Sequence, residues 1–330
     1  MATTLRWGIL STARIADALV RAIRASSDNE LIAVASRDAV RAVEWAARRD
    51  VPHAFGSYEE MLASDVIDAV YIALPNSMHK EWATRAAEMG KHVLCEKPLA
   101  LNAAEVEQMI AAAREYGVQL MEAFMYRFHP QYQEVKRMLA DNAIGEIKIL
   151  RASFEFLLDR PADIRLDKAL GGGSLLDVGC YDVNVCRLIA QAEPVAVQAE
   201  AGWTPGDVDE TFAAVLEFPK GVLAAIDCSF RAHYHQWFGI SGTEGHIGLA
   251  QPFKTGGEPT TILYDHGDER TQSLHGDAAN SYQLMVEEFA NAVRGNRPPS
   301  YPPESSLTQA KVLDGLVESA RTGRRVILEK

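Results

Sequence analysis

The chain has 330 residues, 48% of them apolar, and a formal charge of −12. That length exceeds what one hydrophobic core usually covers, so two domains are expected, and the acidic balance without any Lys/Arg run argues against nucleic acid or anionic membranes as partners. No stretch approaches the ~18 consecutive apolar residues of a membrane span, and residues 1–6 lead straight into a strand pattern without a leader's apolar region, so the chain reads as cytoplasmic.

The first part alternates β-rich runs with helical periods: residues 5–10 then 15–25, 31–35 then 40–48, and 69–74 then 79–89. Residues 92–95, a helix over about 102–116 closed by Gly117, and the strand 118–122 continue the alternation. The run Ile67 to Leu74 is almost wholly apolar, as in a strand buried on both faces, which predicts a doubly wound parallel sheet. After about residue 123 the pattern changes to a helix near 131–139, a strand over 147–157, a Gly-rich turn and a helix over about 178–189. Strand-like runs at 195–203, 211–218, 221–230, 236–241 and 261–264 follow with short turns, which predicts an α+β region with an open, largely antiparallel sheet, closed by helices over 282–293 and 307–320. The expected division is a dinucleotide-binding domain over 1–123 and a substrate-binding and oligomerisation domain over 124–330, its last helices free to pack back on the first.

Cys95, Cys180, Cys186 and Cys228 fit neither CxxC nor zinc spacing and read as buried free thiols; no metal is implied. Gly8, Ser11, Thr12, Ala13, Arg14 and Ile15 stand where a strand passes into a helix, the place of a phosphate turn, with Ser11 and Ala13 in place of two glycines. The second strand ends in Ala35-Ser36-Arg37, without the acid that binds ribose hydroxyls; a hydroxyl and a guanidinium suit the 2′-phosphate of NADP, with Arg41 a helix turn on. Asp38 keeps NAD open as an alternative. The next sheet-edge segment carries Leu74, Asn76 and His79, expected to contact the cofactor, and the fifth strand runs into Glu96-Lys97-Pro98. Near a helix start, Asp177 and Tyr181 lie four residues apart on one face. A phenol exchanges protons at neutral pH when a cation stabilises its anion, and Lys97 is the candidate cation.

In this order and spacing, these motifs resemble the glucose-fructose oxidoreductase and inositol dehydrogenase (Gfo/Idh/MocA) family over nearly the whole chain. The resemblance implies a Rossmann domain, a catalytic and substrate-contacting Lys97, cofactor contacts by Glu96, and Asp177 and Tyr181 at the family's Asp-Val-Gly-x-His signature. Tyr181 replaces the commoner His, which resembles the branch of dimeric dihydrodiol dehydrogenase and NADP-dependent D-xylose 1-dehydrogenase. By the same resemblance Arg127 is a cofactor-side residue and Arg165 a substrate contact; Asp163, Asp182 and His233 are further candidates for sugar hydroxyls. The implied activity is NADP-dependent oxidation of an aldose, polyol or dihydrodiol by a homodimer, with Lys97 and Tyr181 relaying the proton. An NADPH-dependent reductase of a sugar-derived carbonyl and a non-catalytic NADP-binding regulator are the alternatives.

Overall fold

The structure, a computed structural model, describes residues 4–267, 272–276 and 278–328. Residues 1–3, on which the reading of the N-terminus partly rests, lie outside the described residues. The chain divides into two compact units, Met1–Met125 with Tyr282–Leu307, and Tyr126–Ser281 with Thr308–Lys330.

In the first unit, β1 (Leu5–Leu10), β2 (Asn29–Ala35), β3 (His53–Phe55), β4 (Ala69–Ile72), β5 (His92–Cys95) and β6 (Leu120–Glu122) form one sheet in the order β3-β2-β1-β4-β5-β6. All five pairings are parallel. The helices α1 (Ala16–Ala25), α2 (Ala39–Ala47), α3 (Tyr58–Leu62), α4 (His79–Glu88) and α5 (Ala103–Glu115) connect successive strands. Every residue of β4 is buried, which explains its unbroken apolar run. The strand order reverses between β1 and β4, so their carboxyl ends open the crevice in which such sheets bind ligands.

The second unit begins with α6 (Pro130–Ala140), β7 (Ile147–Glu155) and α7 (Cys180–Ala190). β8 (Ala196–Trp203), β9 (Asp209–Glu217), β10 (Leu223–Ser229), β11 (His235–Gly242), β12 (Gly245–Leu249), β13 (Thr261–His266) and β14 (Gln272–His275) follow. After α8 (Ser281–Arg294) and α9 (Pro303–Thr322), the short β15 (Val326–Ile327) completes a nine-stranded sheet, ordered β14-β13-β12-β11-β7-β10-β9-β8-β15. Among the described residues only the β7/β10 pairing of this sheet is parallel, so the sheet is mixed and mostly antiparallel. Strand alternation sorts its two faces: Leu150, Ala152 and Phe154 of β7 and Ala224, Ile226 and Cys228 of β10 are buried, whereas Arg151, Val215 and Leu223 point to the open side. α8 belongs to the first unit from Tyr282 onward, and its Phe289 ring meets the Trp7 ring of β1 at 5.4 Å.

The helix expected from Val178 starts earlier, as a wide π turn over Leu175–Gly179 that runs into α7. Here the helix approaches β10 so closely that a Cβ on Gly179 would stand 2.7 Å from Cys228 Sγ.

Candidate active site

Gly8, expected just beyond the first strand, is the fourth residue of β1, and a Cβ there would meet Ile67 Cδ1 at 2.9 Å. Its place is close packing beneath the sheet; the turn itself is Ser11 to Ile15. Ser11 has φ 106°, a conformation that favours glycine, and its Oγ accepts from Ala13 N at 3.0 Å. Thr12 and Ala13 are half-buried and Arg14 is exposed. No side-chain oxygen caps the α1 N-terminus beside Ile15. A turn of small residues in front of an uncapped helix fits a pyrophosphate.

At the end of β2, Ser36 Oγ accepts from Asp38 N at 3.2 Å, and the Asp38 carboxylate accepts from Arg41 N at 3.1 Å, capping α2. The acid that kept NAD open is therefore engaged by the helix, while Arg37 and Arg41 are exposed at the same edge. This donor set fits a phosphate better than a pair of ribose hydroxyls.

Residues 96–99 leave β5 through a cis Lys97-Pro98 peptide. Tyr71 of β4 donates its hydroxyl to Glu96 Oε1. The Pro98 carbonyl lies 2.8 Å from His79 Nδ1, and His79 Nε2 lies 2.9 Å from the Leu74 carbonyl. Leu99 N donates to Glu122 Oε1 at 2.9 Å, and Tyr301 donates to the other oxygen of Glu122 at 3.3 Å. Burial pulls the His79 pKa below its usual value, the two carbonyls oppose that, and the Lys97 charge adds to it. His79 was expected to contact the cofactor; fully buried, with both ring nitrogens facing backbone carbonyls, it is instead a clamp that joins the ends of β4 and β5. Asn76 opens a short 3-10 turn, Asn76–Met78, ahead of α4 and stays half-exposed.

In the second unit, Asp177 lies in the π turn and Tyr181 in the first turn of α7. Arg165 Nε donates to Asp177 Oδ2 at 2.6 Å and its Nη1 to Asp163 Oδ1 at 3.2 Å, so the loop ahead of the Gly-rich turn is latched onto Asp177. Burial would lower the Arg165 pKa, but the two carboxylates outweigh it. Tyr181 is nearly buried in an aromatic nest, its ring 5.3 Å from Phe253, 5.6 Å from Phe154 and 5.8 Å from Tyr126. Asp209 of β9, which the sequence did not single out, anchors this segment: its Oδ2 accepts from Ser174 Oγ at 2.8 Å and from Leu175 N at 2.7 Å. Gly173, at φ 133°, makes room for it, since a Cβ there would stand 2.3 Å from Asp209 Oδ1.

One of the further candidates, Asp182, is placed otherwise than expected. Asp182 is sealed in the interior, neither oxygen has a hydrogen-bond partner, and burial raises its pKa well above the carboxylate range, so it is no sugar contact. His233 is exposed, with its Nδ1 3.2 Å from the Tyr234 carbonyl. Arg127 donates to Asn184 Oδ1 at 2.8 Å and lines a cavity of about 440 Å³ with Lys136 and Arg187. Asp163 caps a 3-10 turn and pairs with Arg160 at 3.0 Å. Among the described residues no three His, Cys, Asp or Glu are arranged to hold a metal ion, and no helix is long and apolar enough to cross a membrane.

This arrangement defines a dinucleotide-dependent enzyme with a lysine at the sheet edge and an acid/phenol helix in its second unit. Residues 5–124 match the oxidoreductase family with an NAD-binding Rossmann fold, and residues 132–248 match the GFO/IDH/MocA C-terminal domain. The chain belongs to the Gfo/Idh/MocA oxidoreductase family. It is 37% identical over 327 residues to a D-xylose 1-dehydrogenase (NADP(+)) of Haloferax volcanii, covering 98% of this chain and 100% of that one. It is 39% identical over 248 residues to a trans-1,2-dihydrobenzene-1,2-diol dehydrogenase of Xenopus laevis, covering 73% and 74% of the two chains. Its fold is similar to that of a 3-ketoreductase from Actinomadura kijaniata in complex with NADP and TDP-benzene, with a TM-score of 0.91 and 32% identity over 96% of this chain and 98% of that one.

Proposed function

We propose that the protein is an NADP-dependent dehydrogenase that oxidises a hydroxyl of an aldose, polyol or dihydrodiol, with residues 1–123 holding the cofactor and 124–330 the substrate. The observation that carries this reading is the pinned Lys97 turn: His79 and Glu122 hold the two polar ends of the Pro98–Leu99 peptide just after it, at the carboxyl edge where the parallel sheet binds ligands. The full-length similarity to an NADP-dependent xylose dehydrogenase supports it.

In the cofactor site, Ser11, Thr12, Ala13, Arg14 and Ile15 receive the pyrophosphate, and Ser36, Arg37 and Arg41 the 2′-phosphate; Leu74, Asn76, Glu96 and Arg127 border the remainder. When bound, the nicotinamide supplies the hydride acceptor. Tyr181 takes the proton of the substrate hydroxyl while Lys97 stabilises the phenolate, and the C–H bond gives up its electron pair as hydride, leaving a carbonyl. Asp177 and Arg165 orient the neighbouring hydroxyls; their mutual ion pair leaves this part of the site without excess charge, which suits a neutral polyol. A homodimer through the open sheet face and a cytoplasmic setting complete the reading, and the 43% and 44% exposure of Val215 and Leu223 on that face supports the former. The similarity to a 3-ketoreductase favours, as a second reading, the same residues run in the reductive direction.

The test is absorbance of the reduced nicotinamide with NADP or NAD against D-xylose, D-glucose, other aldoses and a trans-dihydrodiol. Reduction of NADP by one of these substrates is the expected result. Silence throughout, with oxidation of NADPH by a keto-sugar, would replace it by the reductase.

A further inference from the structure

β2 and β3 lie side by side with Ala35 opposite Phe55, and Ser36 N donates to the Phe55 carbonyl at 3.1 Å. The residues that follow each strand therefore emerge together at the carboxyl edge of the sheet: Arg37 from one, Tyr58 from the other. Ser57 caps α3 by accepting from Glu60 N at 3.1 Å, which fixes Tyr58 as the first residue of that helix. The Tyr58 ring is buried edge-on against Trp82 with centroids 4.8 Å apart, so its hydroxyl has little freedom to move. Burial raises the pKa of this phenol, and the charge of the Arg37 guanidinium opposes the rise. A phenol whose pKa is raised keeps its proton at neutral pH and has it to give.

We propose that Tyr58 is a specificity-determining residue of the cofactor site: from the strand end beside that of Arg37 it directs its hydroxyl proton to the 2′-phosphate of NADP, a group that NAD lacks. The inference rests on the NADP reading above. A phosphate monoester carries about −1.5 to −2 charges at neutral pH and takes several donors at once. Ser36, Arg37 and Tyr58 supply them from two adjacent strand ends, while Asp38 is spent on capping α2.

Calorimetric titration of NADP and NAD into the wild type, Tyr58→Phe and Arg37→Gln tests this without turnover. Phe keeps the packing on Trp82 and removes only the hydroxyl. Tyr58→Phe is expected to weaken NADP about tenfold and leave NAD within about twofold, and Arg37→Gln to weaken NADP more. If Tyr58→Phe leaves NADP unchanged while Arg37→Gln weakens it, or if it weakens both cofactors alike, the assignment of Tyr58 is overturned and the NADP reading stands. If the wild type binds NAD as tightly as NADP, it is that reading which fails.

Discussion

The two segments proposed to carry the chemistry are held in opposite ways. The Lys97 turn in the first unit is gripped through its backbone by side chains from other elements, with His79 at the Pro98 carbonyl and Glu122 at the Leu99 amide. In the second unit, the Asp177/Tyr181 segment is gripped at its start, where one buried carboxylate, Asp209, takes both a hydroxyl and a backbone N–H of the incoming turn. A grip spread over two partners weakens by degrees when one is lost, whereas a grip centred on one carboxylate fails as a unit.

The largest loss should therefore come at Asp209. Asp209→Ala leaves the Leu175 amide and the Ser174 hydroxyl without their acceptor and should cost about 3 kcal/mol in denaturant unfolding, with a fall in kcat. Gly173→Ala, which drives a methyl toward the same carboxylate, should reproduce the fall, and normal activity in both variants would break the comparison. His79→Leu should cost less, about 1–2 kcal/mol, because Glu122 still holds the N–H end of the same Pro98–Leu99 peptide. Its kcat should drop with KM little changed, since Lys97 is mispositioned rather than removed; a change in KM alone would count against a positioning role.

The smallest effect is expected away from both grips, on the sheet. Burial, together with a hydrogen bond and charge from Asp227, pushes Glu155 up to about 7 from 4.5. The folded state then holds this proton more tightly than the unfolded chain does. The contribution to stability is complete below about pH 4.5 and is lost as pH rises through about 7. Glu155→Gln should flatten the fall in stability between pH 5 and pH 8, as read by chemical denaturation, and an unaltered slope would remove Glu155 as its source.

Much of the fold was legible in the sequence because parallel strands buried on both faces write long apolar runs, and the family motifs sit at their ends. β3 and α3 were less legible: three and five residues show no period, yet they supply Tyr58. The residues that grip the site were least visible. Asp209 is 34 positions from the amide it holds, and Glu122 is 23 from its own, so no local pattern announces either. His79 was visible as a residue but not in its role, since a histidine at a sheet edge reads the same whether it faces a ligand or two carbonyls. The π turn was hidden too, because the close approach of Gly179 to Cys228 is a tertiary demand on a sequence that looks simply helical.

The central proposal, that Tyr181 takes the substrate's proton and Lys97 stabilises the phenolate, is tested most directly by kcat and cofactor affinity in Tyr181→Phe, with Lys97→Met alongside. The account predicts a loss of about 10²- to 10⁴-fold in kcat for each variant, with NADP affinity in Tyr181→Phe unchanged. Tyr181→Phe turning over at the wild-type rate while still binding NADP would contradict it.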